Sequence, residues 1–140
     1  MKKTLLLSAA ILLTPTWVMA ETLQEAFETH RAMYGKDHTF TWQGKEYSTN
    51  HPEELEARVE PTQGNATALL ELAKAENKKA ASAGYEWKLT RGLLKNAEAA
   101  IKEGEYQRAL NLAAQAKYHA RIGIEQHAYA EKNWQLSVPQ

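Results

Sequence analysis

Few residues in this 140-residue chain are of types that do chemistry, and their spacing does not organise them. There are five histidines and no cysteine. His119 and His127 lie two helical turns apart and could share a metal only loosely, and neither a His-Glu-x-x-His nor a His-x-x-x-His run occurs. They read as surface residues, whereas His30 reads as a packed or rim residue on an apolar helix face. Met33 with a distant histidine is the one pair that could ligate a b-type haem axially, and nothing else in the sequence supports that role. Ser48, Ser82 and Ser137 lack a nucleophile-elbow context, and no glycine-rich phosphate loop is present. Glu98 and Glu103 read as solvated helix acids. Without cysteine there is no thiol nucleophile, zinc–thiolate site, iron–sulfur cluster or covalently attached haem. The expectation is a protein without catalytic, cofactor or metal residues, hence not an enzyme.

Such a chain must act through surfaces, and its first residues say where. Met1-Lys2-Lys3, an apolar run through Leu13 and the small-residue ending Val18-Met19-Ala20 have the form of a secretory signal peptide over residues 1–20. The run is broken by Pro15 and falls short of the roughly 20 residues that span a bilayer. The expected location is periplasmic, with no membrane association once the signal is removed. Removing Lys2 and Lys3 leaves 15 basic against 17 acidic side chains, a net charge of −2. That balance gives no support to a nucleic-acid partner, which needs clustered phosphate-neutralising cations.

The elements follow from periodicity. Leu23, Ala26, Phe27, His30, Met33 and Tyr34 recur at helical spacing before Gly35. From Thr39 to Thr49, β-branched and aromatic residues flank Gln43-Gly44, which predicts a hairpin pairing Phe40 with Tyr47 and Trp42 with Lys45. Asn50-His51-Pro52-Glu53-Glu54 starts a turn of helix, completing an N-terminal segment over 21–60. A breaker cluster at 61–65 serves as linker. Residues 66–134 are dominated by good helix formers and contain no proline, predicting two long antiparallel helices, about Ala66–Glu103 and Glu105–Trp134, folded at Gly104. Residues 135–140 form a tail. The fold class is mainly α, a long antiparallel helical hairpin preceded by a short helix and a small β-hairpin.

Turning at Gly104 sets residues whose numbers sum to about 208 opposite one another, so Trp87 meets Ala120 and Arg121, and Gly84 meets Gly123 and Ile124. Close helix approach then explains Gly84 and Gly123. A second apolar stripe remains: Ala81, Tyr85, Leu89, Leu93 and Ala100 on the first arm, and Tyr118, Ile122 and Tyr129 on the second. A helix covered on one side has no use for it. The N-terminal segment, a second copy in a homodimer, or a foreign protein partner could cover it.

Two local resemblances meet here. Gly104-Glu105-Tyr106-Gln107-Arg108-Ala109-Leu110 is similar to the turn and second helix of a tetratricopeptide repeat, but arrays need about three units and only one hairpin is present. Lys79-Ala80-Ala81-Ser82-Ala83-Gly84-Tyr85-Glu86-Trp87, with Thr90, Leu93-Leu94-Lys95-Asn96-Ala97-Glu98, Gly104-Glu105-Tyr106, Glu125-Gln126 and Ala130-Glu131-Lys132, resembles the SoxXA-binding (SoxK-type) proteins of sulfur-oxidising bacteria. The resemblance covers roughly residues 79–132. Lys88-Leu89 stands where that family would carry an Arg-Asp pair. The resemblance implies an exported accessory protein without a cofactor of its own, one that binds the SoxXA c-type cytochrome of thiosulfate oxidation and promotes its activity. The partner-binding residues expected on this basis are Tyr85, Glu86, Arg91, Tyr118, Arg121 and Tyr129, with Trp87 in the core. The alternative is a self-associating structural or stress-type protein with no foreign client.

Overall fold

A computed structural model describes residues 20–134. The expected signal peptide, except for Ala20, and the expected tail over 135–140 lie outside the described residues. The N-terminal segment opens with α1 (Leu23–Tyr34), where Thr22 and Glu25 form a reciprocal capping box and Gly35 ends the helix in the left-handed region. Strands β1 (Thr39–Trp42) and β2 (Lys45–Ser48) pair antiparallel, with Phe40 opposite Tyr47 and Trp42 opposite Lys45, as the alternation predicts. Gln43 and Gly44 both have positive φ, the primed turn that matches strand twist. Helix α2 (Pro52–Glu56) has proline in its first turn.

The rest is a three-helix bundle, and here the structure departs from the expected two-armed hairpin. The first arm is two helices, α3 (Gln63–Ser82) and α4 (Lys88–Lys102), followed by α5 (Tyr106–Asn133). Gly84, at φ +79°, is the cause of the break. The Tyr85 N–H donates to the Ala80 carbonyl at 2.9 Å and the Gly84 N–H to the Ala81 carbonyl at 3.0 Å, which closes α3 in a Schellman motif. The same pattern recurs at Gly104, where Glu105 bonds back to Ala100 at 2.8 Å and Gly104 to Ile101 at 3.1 Å. Both glycines end helices, so α4 runs antiparallel to α5 as expected, and α3 folds back along both. Helix α3 also starts inside the expected linker, because the Thr62 hydroxyl accepts from the Asn65 N–H at 3.2 Å.

Folding back resolves much of the second apolar stripe within the chain. Leu93 and Ala100 of α4 lie in one buried cluster with Leu69, Leu70 and Ala73 of α3 and Leu110 and Ala113 of α5. Alanines dominate that cluster, which lets three helices approach closely with few large side chains. Lys74 pairs with Glu98 at 2.7 Å across α3 and α4. Ala57, after α2, joins the same cluster, so the N-terminal segment is docked onto the bundle. No described helix is long and apolar enough to cross a membrane.

Candidate partner-binding surface

The structure sorts the six expected contact residues into two places. Tyr85, Glu86 and Arg91 sit at the joint between α3 and α4. With α3 closed at Gly84, the chain crosses α5 in extended form, and the Tyr85 carbonyl lies directly over Gly123. A Cβ on Gly123 would stand 2.5 Å from that oxygen. Close approach therefore accounts for Gly123 as expected, while Gly84 is needed for its backbone conformation. Tyr85 packs on His127 with ring centroids 4.9 Å apart, and Trp87 on His119 at 5.2 Å. Glu86 ties the joint from both sides: it accepts from Asn77 Nδ2 at 2.7 Å and pairs with Arg91 Nε at 3.4 Å. His119 and His127, expected on the surface, are half-buried by these aromatic rings. Nothing in the helical periodicity signals this, because it depends on the break at Gly84.

Tyr118 and Arg121 have a different role. They lie on α5 under the N-terminal segment and dock it. His51 sits between Phe27 at 5.2 Å and Tyr118 at 4.5 Å. Arg121 donates to Glu53 through Nε at 2.7 Å and Nη2 at 3.2 Å, and to Glu125 through Nη1 at 2.8 Å. Lys117 reaches Glu56 at 2.6 Å, and Arg31 forks onto both oxygens of Glu54 at 2.7 Å. Among the three coverings open to the second stripe, the N-terminal segment thus takes Tyr118. Tyr129 belongs to neither place and is 70% exposed near the end of α5.

The dock is electrostatically set for neutral pH. Burial is the largest single influence and works to raise the Glu53 carboxyl, but the hydrogen bonds from Arg121, a backbone N–H and the charges of Arg121 and Lys117 together hold the group below its ordinary value of 4.5. The bonds from Arg31 do the same for Glu54, against its smaller burial. Burial, then the charge of Arg31, pushes His51 below 6.5, and burial does so for His119. In every case the unfolded chain binds protons more readily than the native one, so stability falls with falling pH. Urea unfolding followed from pH 8 to pH 3 is expected to show a constant midpoint above about pH 6.5. A first decline begins below that as the histidines are forced to charge, and a steeper one follows through and below the carboxylate range. A midpoint that rises on acidification would contradict the dock.

Two open grooves flank this dock. One is polar, with Arg31, Lys36, Asp37 and Arg58 facing Gln107 and Asn111 of α5. Its arginines are already committed, Arg31 to Glu54 and Arg58 to Asp37. The other is more apolar, between Phe27, Phe40 and Tyr47 on one wall and Ile122 on the other. His30 stacks on Phe40 at 4.6 Å and Tyr34 on His38 at 4.2 Å, so the N-terminal histidines serve as packing rings. Among the described residues, no group of three or more histidines and carboxylates is placed to hold a metal. What the arrangement offers is surface: a joint of Tyr85, Glu86 and Arg91, with Leu89 (55% exposed) on α4 and Tyr129 and Trp134 on the last turns of α5. No family model, no curated protein and no solved structure matches the chain.

Proposed function

We propose that this chain, exported and processed after Ala20, is a non-catalytic periplasmic accessory protein. Its proposed partner is a SoxXA-type c-type cytochrome complex of thiosulfate oxidation, whose activity it promotes. The observation that carries the reading is where the family-like residues fall. The Gly84-Tyr85-Glu86-Trp87 stretch forms the α3–α4 joint, and the rest of the similar segment is α4 and α5. Within that segment, Leu89, Arg91 and Tyr129 stay exposed. Isolated exposed apolar residues are ordinary on a protein surface; here they accompany a joint whose Tyr85 and Glu86 are held in place by His127 and Asn77. Contacts made by Tyr85, Glu86, Arg91 and Tyr129 suit a protein partner, whereas Tyr118 and Arg121 act from beneath by fixing the N-terminal segment.

Chain 21–140 is expected to co-purify with a SoxXA-type complex and to bind it at micromolar concentration or tighter. Substituting Tyr129→Ala together with Leu89→Ala should weaken binding without lowering the urea midpoint, since both side chains are exposed. Clean absence of binding at micromolar concentration would remove the assignment. The same exposed residues could instead meet a second copy, and a tight dimer in sedimentation that buries Leu89 and Tyr129 would favour the self-associating alternative.

A further inference from the structure

The chain's charge is divided unevenly along its length. Residues 20–62 carry nine acidic and four basic side chains, and residues 63–134 carry eight acidic and eleven basic. Part of the bundle's excess is ordered. Lys88, Arg91, Lys95 and Lys102 are all exposed on α4. At 3.6 residues per turn they fall within about 60° of one another, roughly opposite the buried Leu93 and Ala97, along about 21 Å of helix. Gly92 and Ala99, also exposed, are the small residues on the same face.

Intramolecular acids quench little of this row: Glu98, one turn before Lys102, feels its charge but makes its close contact with Lys74. Lys74 and Lys79 of α3, and Arg108, Lys117 and Arg121 of α5, each sit in an ion pair. On α4, among the described residues, only Arg91 has one, with Glu86 at 3.4 Å. Like charges three and four residues apart oppose helix formation by about 0.2–0.5 kcal/mol a pair. The Lys88–Arg91–Lys95 part of the row therefore works against its own helix, and Lys88 in the first turn also opposes the helix dipole, whereas Lys102 in the last turn suits it.

We infer that the outer face of α4 is a docking strip for an acidic protein surface, with Lys88, Arg91, Lys95 and Lys102 as its cations. The inference rests on the accessory-protein reading for what the partner does, but the strip's chemistry can be tested without that partner. A protein surface fits better than the other polyanions. A membrane-lying helix needs large apolar residues beside its cations, whereas the apolar side of α4 is buried in the bundle. A nucleic acid would meet the acidic N-terminal segment of a chain whose processed form is net negative. Small residues between the cations let another protein's backbone come close, and the spacing along the helix suits separate carboxylates better than one phosphate.

The test uses ¹⁵N-labelled chain 21–140 titrated with poly-L-glutamate at low salt. The expected result is amide shifts concentrated on residues 88–102, a binding constant that weakens steeply with added salt, and a loss of roughly tenfold or more in the K88E/K95E/K102E variant. The K36E/K45E/K78E variant, with the same change of net charge at exposed sites elsewhere, should keep most of the binding. Shifts centred off α4, equal losses in both variants, or tighter binding to anionic phospholipid vesicles or to RNA than to poly-L-glutamate would overturn the inference. Repeating the comparison with the cytochrome complex separates the two readings. A complex that binds both variants equally removes the strip and leaves the accessory function standing, whereas a complex that binds no form removes the function and leaves the poly-L-glutamate result to decide the strip.

Discussion

Gly123→Ala lowers stability by about 2 kcal/mol, although alanine is the better helix former. In an unconstrained helix the substitution would gain about 1 kcal/mol. Here the new methyl would lie 2.5 Å from the backbone carbonyl oxygen of Tyr85. A carbonyl cannot swing aside as a side-chain tip can, so the joint must lift from α5. Lifting it loosens the packing of Tyr85 on His127 and of Trp87 on His119. For a domain of this size the loss corresponds to a fall in Tm of about 8 °C. Gly92→Ala is the control: it lies inside α4 with nothing within 4 Å of the added carbon, and it should raise stability by up to about 1 kcal/mol. Urea unfolding of the two variants side by side checks both signs. A stabilised Gly123→Ala would mean that the joint does not press on α5.

Arg121→Ala should cost more, about 3 kcal/mol, because of what it leaves behind. The Glu53 side chain is 4% exposed and holds both of its close charge-assisted bonds with Arg121, whose own side chain is 30% exposed. Removing the guanidinium strands a buried carboxylate, which must then take up a proton or pull in water. The partial exposure of Arg121 keeps the figure at the low end for buried pairs. Replacing both partners by apolar residues, Glu53→Leu with Arg121→Met, removes the stranded charge and should recover most of the loss. A double-mutant cycle in urea, read with a probe on the N-terminal segment, reports the coupling directly. Additive effects would show that the segment is held by other contacts.

Local chemistry made the N-terminal segment legible. The helical spacing from Leu23 to Tyr34 ahead of Gly35, the Gln43-Gly44 pair between alternating aromatics and Pro52 ahead of two acids are each signals that act within a few residues. Those elements form where the pattern places them. Gly104 was legible for the same reason, but Gly84 carried two compatible meanings. A glycine within an alanine-rich run can allow a close helix crossing or can end a helix in the left-handed region, and the periodicity of the apolar residues continues across it either way. The joint uses both meanings, one in each glycine: Gly84 turns the chain, and Gly123 makes room for it. Taken only as a crossing, Gly84 leaves one hairpin arm in place of two helices, and the stripe through Leu93 and Ala100 without the cover that α3 supplies.

The candidate site was legible in part. Tyr85, Glu86 and Arg91 are neighbours in sequence, and they remain neighbours at the joint. Tyr118 and Arg121 depend on contacts with Glu53 and His51, more than sixty residues away, and nothing local to α5 separates an aromatic and a cation that dock a segment from a pair that awaits a partner. The cationic face of α4 could be read at helical spacing, but it acquires meaning only when the ion pairs elsewhere show which cations are already satisfied.

The accessory role is tested most directly by the rate at which a SoxXA-type cytochrome complex turns over thiosulfate, measured with and without chain 21–140. An accessory protein of this kind raises the rate to saturation as it is added, requires no metal or cofactor to be supplied with it, and loses the effect in the K88E/K95E/K102E variant. A rate unchanged at protein concentrations well above micromolar would contradict that role.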